Sequence, residues 1–212
     1  MPHKIDSLSI AEVAKNFDIF VDYCDERREQ TAHVMHSNIA NSTNYQLIKE
    51  LVKLENLHEM FFVKPYKEKM HADHASQYVD HGYGAHNTKM MRGEIADNEV
   101  ISNFMHDHLK IKHGRAKINS QPPGNFFPVH IDYLAGWTKQ YPELAKKYSY
   151  PQFKRFILFL TPRANGHFYS INNCLIDYKE GDIVEQLFFS WHATGNGDLT
   201  NKVLIAFEGI AL

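Results

Sequence analysis

The chain has 212 residues, 43% of them hydrophobic and 23% charged, with a formal net charge of −2. That length suits one domain with a core large enough to need no covalent staples, and the charge gives no sign of a general nucleic-acid or anionic-membrane binder. No apolar run reaches the roughly 18–20 residues of a membrane span. The N-terminus lacks the apolar core of a signal peptide, and two isolated cysteines, Cys24 and Cys174, suit a reducing compartment, so the expected location is cytoplasmic.

The first half carries helical signals. Ser9 and Glu12 have capping-box spacing, and Ile10, Val13, Phe17, Val21 and Cys24 follow at helical period. Thr43 and Gln46 repeat the cap ahead of Tyr45, Ile48, Leu51, Val52 and Leu54. Residues 71–88, rich in His, Gly, Asp and Asn, are expected as loop. A third helix is expected from an Asp97 cap through Val100, Ile101, Phe104 and Met105.

The second half changes to strand signals. Ala116-Lys117-Ile118 leads into the turn Pro122-Pro123-Gly124, and residues 126–133 are aromatic and β-prone. Residues 155–160 form a continuous apolar run after Arg155, as a strand buried on both faces does. Residues 166–171, 183–189 and 202–210 complete the set. Short strands between turns predict a sandwich or barrel. The expected architecture is one domain over 1–212, mainly β with N-terminal helices (α+β). Residues 1–110 form a helical support layer on a β core over 111–212.

His130-Ile131-Asp132 is the first pattern with chemistry in it. On a strand, residues i and i+2 share a face, so an imidazole and a carboxylate reach one point. Among fourteen histidines one His-x-Asp means little alone. Here a Pro-Gly turn and an aromatic pair precede it, in Gln121-Pro-Pro-Gly-Asn-Phe-Phe-Pro-Val-His130. Later come Gly181-Asp182, then His192 after the bulky run 187–191, then Lys202 at the start of the apolar strand Val203–Phe207. A lysine entering a core strand is costly unless its ammonium meets an anion.

In order and spacing these residues resemble the iron(II)- and 2-oxoglutarate-dependent oxygenases, most closely their prolyl-hydroxylase-like branch. The matching positions are Pro123, Gly124, Phe126, Phe127, His130, Asp132, Gly181, Asp182, His192 and Lys202, within roughly residues 115–210. The resemblance implies a double-stranded β-helix core of jelly-roll or cupin-like type. It implies Fe(II) held by His130, Asp132 and His192, and 2-oxoglutarate held by Lys202 through its far carboxylate. It further implies O2 as the oxidant and hydroxylation of an unactivated C–H bond, with release of succinate and CO2. An aspartate at 132, where related halogenases have a small residue, favours hydroxylation.

Two departures stand out. The family often has tyrosines where this chain has Phe126 and Phe127, and phenylalanine donates no hydrogen bond. Asn119, Gln121, Arg155 and Tyr169 are the candidates to replace that contact with the co-substrate. The cation is a lysine, a point charge rather than a fork. For the second nitrogen of His192 the expected anchor is Asn196 or a backbone carbonyl.

His167, His86 and Asn87 are candidate substrate contacts. The last two belong to a segment around Asp80, His81, Tyr83 and Thr88 that is either a lid hinged at Gly82 and Gly84 or a surface loop. His106-Asp107-His108 and His71-Ala-Asp73-His74 are expected as solvated histidines, and Trp137 and Trp191 as core. The expected substrate is a small molecule such as an amino acid, or a peptide side chain. The alternatives are a cupin-like metalloprotein with other chemistry and a non-catalytic β-barrel interaction module.

Overall fold

A computed structural model describes residues 33–53, 56–63, 75–95, 98–130, 132, 135–148, 152–172, 174–187 and 190–212. The strands are β1 (His33–Asn38), β2 (His58–Phe61), β3 (Lys89–Ile95), β4 (Ile111–Gln121), β5 (Asn125–His130), β6 (Phe153–Phe159), β7 (His167–Ile171), β8 (Cys174–Leu175), β9 (Asp182–Gln186), β10 (His192–Asn196) and β11 (Lys202–Ala211). The helices are α1 (Thr43–Leu51), α2 (Ala75–Asp80), α3 (Glu99–Asn103), which runs into a π turn at Phe104–His108, α4 (Ala135–Gln140) and α5 (Pro142–Lys147).

The strands form two antiparallel sheets. One has the order β1-β9-β6-β11-β4-β3-β2 and the other β5-β10-β7-β8. From β4 onward the chain steps from the large sheet to the small one and back until β11 closes the large sheet. That winding is a double-stranded β-helix, and the chain is mostly β.

Alternation along β11 divides the core. Val203, Ile205 and Phe207 pack outward against Tyr45 and Ile48 of α1, Ile101 of α3 and Phe104 of the π turn. Leu204 and Ala206 point between the sheets, onto Ile157, Phe159, Tyr169 and Val184. A strand buried on both faces needs apolar residues at every position, which is why β6 and β11 carry unbroken apolar runs. At the end of the large sheet away from Lys202, Trp137 of α4 packs with Ala145, Phe153 and Ile210, and its indole donates to the His113 carbonyl at 2.7 Å. Gly124 turns the chain from β4 into β5 with φ of +72°, where a Cβ would be strained.

The first half differs from the expected helical layer. β1, β2 and β3 extend the large sheet at its two edges. Their own residues are half polar, and they are strands because β9 and β4 offer free edges to β1 and β3, and β3 in turn to β2. Helix α2 lies inside the expected loop 71–88. Cap positions shift by one residue. Ser42, not Thr43, accepts from the Tyr45 amide, and Asn98, not Asp97, accepts from Val100 and Ile101. The expected helix from Ser9 to Cys24 lies outside the described residues. No helix among the described residues is long and apolar enough to cross a membrane.

Candidate metal centre

β5 and β10 are neighbours in the small sheet, and their register sets His130 directly opposite His192. The two rings lie 4.2 Å apart, centroid to centroid. Asp132, just beyond β5, completes the group. Its Oδ2 is 3.3 Å from His192 Nε2 and its Oδ1 is 3.8 Å from His130 Nε2. One donor atom from each residue falls within 4.8 Å of the others, and among the described residues this is the one such cluster of three or more His, Cys, Asp or Glu.

Both imidazoles present the same nitrogen to that point. His130 Nδ1 is 2.7 Å from the Pro128 carbonyl, and His192 Nδ1 is 3.2 Å from the Ser190 carbonyl. Each carbonyl lies two residues upstream; at His130 it accepts the Nδ1 proton, which leaves Nε2 with a free lone pair, and His192 Nδ1 also has the Gln186 amide nitrogen at 3.1 Å. Burial, followed by the neighbouring His192, pushes the His130 pKa down to about 3, so its ring is neutral. Burial alone would raise the Asp132 pKa. Arg155 and the two imidazoles outweigh it and hold the carboxyl well below its usual range. Arg155 pairs directly with Asp132 Oδ2.

This donor set fits a divalent transition metal. Ligand bonds of about 2.1 Å at right angles place neighbouring donors about 3 Å apart, close to the 3.3 Å between His192 Nε2 and Asp132 Oδ2. Two imidazoles and one carboxylate on one face leave further coordination positions open.

A cavity of about 120 Å³ opens over the cluster between the two sheets. Tyr169, Thr194, Phe127, Ile157 and Leu204 form its inner wall. Met60 and Phe62 from β2 and the residue after it, with Met90 and Arg92 from β3, form the outer wall. A larger cleft of about 430 Å³ lies elsewhere, lined among others by Asn98, Met105, His113 and Tyr141, and it touches none of the three cluster residues.

No protein-family model and no curated protein matches this sequence. Solved structures do. A member of the 2OG-Fe(II) oxygenase family from Burkholderia pseudomallei is 12% identical with a TM-score of 0.49, over 96% of this chain and 92% of that one. A cupin-2 domain from Rhodospirillum rubrum is 9% identical with a TM-score of 0.40, over 74% and 72%. The Cnp3 cupin domain of Schizosaccharomyces pombe is 9% identical with a TM-score of 0.37. It aligns over 57% of this chain, which spans 64% of that domain.

The other expected site residues scatter. Arg155, Tyr169 and Asn119 line the cavity. Arg155 is engaged by Asp132, Tyr169 donates to Gln186 Oε1 at 2.7 Å, and Asn119 accepts from Arg92 Nε at 2.8 Å. Gln121 sits below the wall, where its Oε1 accepts from Thr194 Oγ1 at 3.1 Å. Lys202 is buried but is not on the cavity wall. Its ammonium contacts Thr194 Oγ1 and the Phe168 carbonyl, one layer behind. No carboxylate of the described residues lies within ion-pair distance of it, and burial pushes its pKa down to about 7.

Three expected substrate contacts lie away from the cavity. His167 is at the end of β7 opposite Asn196, whereas His192 pairs with Ile171 at the other end. Four residues of strand place it roughly 13 Å away, beside the Thr200 carbonyl and Asp198. Asn87 folds back on its own turn, accepting from the Gly84 amide and donating to the Gly82 carbonyl, and His86 is exposed beside it; neither lines the cavity. The segment does reach the site indirectly. Tyr78 donates to the Val129 carbonyl and packs on Phe62, whose ring packs on His130.

His106 pairs with its exposed neighbour Asp107, and His108 meets Ser37, so neither joins a metal cluster. His71, Asp73 and His74 lie outside the described residues. Trp137 is fully buried and Trp191 half-buried.

For His192 the anchor is a backbone carbonyl, as one of the two expected alternatives had it; Asn196 bonds to Gln121 and Thr200 instead. Gln186, whose side-chain amide lies 3.1 Å from His192 Nδ1, had no signal in the sequence, nor did Thr194 or Arg92.

Proposed function

We propose that this protein is an iron(II)- and 2-oxoglutarate-dependent dioxygenase that hydroxylates an unactivated C–H bond of a small molecule. The observation that carries the reading is one arrangement of charge: two imidazoles and an ionised carboxylate facing one point, with a buried ammonium one layer behind that no carboxylate of the described residues pairs. When bound, iron(II) with 2-oxoglutarate and O2 supplies an oxidant for C–H hydroxylation, and the co-substrate leaves as succinate and CO2.

The chain's own residues would do the rest. His130 and His192 hold the metal through Nε2, in rings fixed by the Pro128 and Ser190 carbonyls. Asp132 contributes one negative charge, and Arg155 keeps it ionised and aimed. Thr194 and Lys202 meet the far carboxylate of the diacid, the hydroxyl from the wall and the ammonium from behind it. The Tyr169 hydroxyl, on the cavity wall, would take the part of the tyrosine that Phe126 and Phe127 lack by exchanging its bond to Gln186 for one to the co-substrate. Phe127, Ile157 and Leu204 keep bulk water from the metal.

A second reading, a cupin-like metalloprotein that does not use 2-oxoglutarate, is favoured by the position of Lys202 off the cavity wall. Absorption spectroscopy of the protein with iron(II) and 2-oxoglutarate under anaerobic conditions separates the two. The first reading expects a weak visible charge-transfer band, absent in His130→Ala. Iron binding without the band supports the second, and no iron binding at all overturns both.

A further inference from the structure

We propose that Arg92 anchors the carboxylate of the substrate, and that the substrate is a small carboxylic acid with an apolar body and no free amine. The inference rests on the reading above only in calling this acid a substrate; the anion site itself stands on the cavity.

Four cations besides Lys202 cluster on the inward face of the large sheet near the metal centre, and three of them are engaged. Arg155 pairs with Asp132. Arg115 pairs with Glu94 and Glu208, and Lys117 with Glu208. Arg92 alone among the four has no carboxylate of the described residues within ion-pair distance. Its Nε donates to Asn119 Oδ1 at 2.8 Å, and one terminal nitrogen meets only the Met90 sulfur at 4.0 Å. With Nε held, the two terminal nitrogens form the planar fork that matches a carboxylate. The Asn119 bond crosses the β3–β4 register, where the two residues stand opposite each other, so the guanidinium is aimed by the sheet and not by its own flexible stem.

The surroundings define the rest of the ligand. Met60, Phe62 and Met90 make an apolar wall beside Arg92, and Phe62 packs on the His130 ring at 4.8 Å. An acid held at Arg92 with its body on that wall lies next to the metal ligands. Among the described residues Asp132 is the sole acidic one on the cavity wall, and it is already engaged. A free α-ammonium would therefore be desolvated with no partner, which selects against an amino acid. A cavity of about 120 Å³ is well under the roughly 300–1,000 Å³ of ordinary ligand pockets, so the acid is small.

The test is calorimetry on the full chain loaded with manganese(II), which resists oxidation. 2-Oxoglutarate is titrated first and reports on the proposed function by itself. Isocaproate, its amide and leucine are then titrated separately. We expect isocaproate to bind, the uncharged amide to bind at least tenfold more weakly, and leucine to bind more weakly than isocaproate. Arg92→Met should weaken isocaproate at least tenfold, while the 2-oxoglutarate titration and the melting temperature stay as in the wild type. Should that variant misfold, the wild-type acid-versus-amide difference decides. Absence of isocaproate binding, equal binding of acid and amide, or wild-type affinity in a folded Arg92→Met would overturn the proposal. A loss of 2-oxoglutarate affinity in that variant would overturn it too, by assigning Arg92 to the co-substrate. Leucine binding more tightly than isocaproate would remove the exclusion of amines.

Discussion

Strand β11 carries a buried charge on its inward face near each end, and the two are treated differently. Glu208 is met by Lys117 and Arg115. Among the described residues Lys202 has only a hydroxyl, a carbonyl and the faces of Phe168, Tyr169 and Tyr178 around its ammonium. A buried charge with partners is part of the architecture, because removing it strands the partners. A buried charge without a partner costs the fold stability, and such a residue persists where something outside the chain neutralises it. On the proposed function, the same strand separates a structural end from a ligand-binding end.

That contrast can be broken by substitution. The largest effect is expected at the paired end: Glu208→Gln leaves Lys117 and Arg115 short of an anion and should cost about 3 kcal/mol of stability, read by denaturant unfolding, with iron affinity preserved. At the other end the signs separate. Lys202→Met should leave stability unchanged or raise it by about 1 kcal/mol, yet raise the 2-oxoglutarate concentration required at least tenfold.

A pH series sharpens the same point. Burial lowers the Lys202 pKa from 10.5 to about 7. Between those values the unfolded chain holds the extra proton, so this group's penalty, complete below about pH 7, is relieved as pH rises toward 10.5. The wild type should gain stability over that interval relative to Lys202→Met, whose profile lacks this slope, as thermal melts at several pH values would read. The smallest effect is expected from Thr194→Val, which leaves the ammonium in place and removes the hydroxyl between it and the cavity. A few-fold rise in the 2-oxoglutarate requirement with unchanged iron affinity would place Thr194 as the link, and no change would mean that the diacid does not approach Lys202 from that wall.

Local pattern decided a definite part of this molecule. The run at residues 155–160 predicts a strand buried on both faces, and β6 is one, because apolar continuity is visible without knowing the neighbours. His130 and Asp132 are suggested as a pair by spacing of two alone. By contrast, β10, which carries His192, has no strand pattern in Ala193-Thr194-Gly195-Asn196. It is a strand because β5 and β7 pair with it on both sides. Gly195 is small because a Cβ there would come within 2.5 Å of the Phe126 and Phe168 rings, a crowding that no local pattern predicts.

By itself, then, the amino-acid order determined the β-rich second half, the residue types of the candidate metal cluster and a lysine that enters a core strand, all of which depend on neighbours along the chain. Tertiary structure alone decided that His130 faces His192 in register, that β2 and β3 lend Met60, Met90 and Arg92 to the cavity, and that Lys202 stands behind Thr194. The physical reason is pairing. A strand's inward face, and the charges left without a partner on it, are set by the strand hydrogen-bonded beside it, and that partner comes from a distant part of the chain.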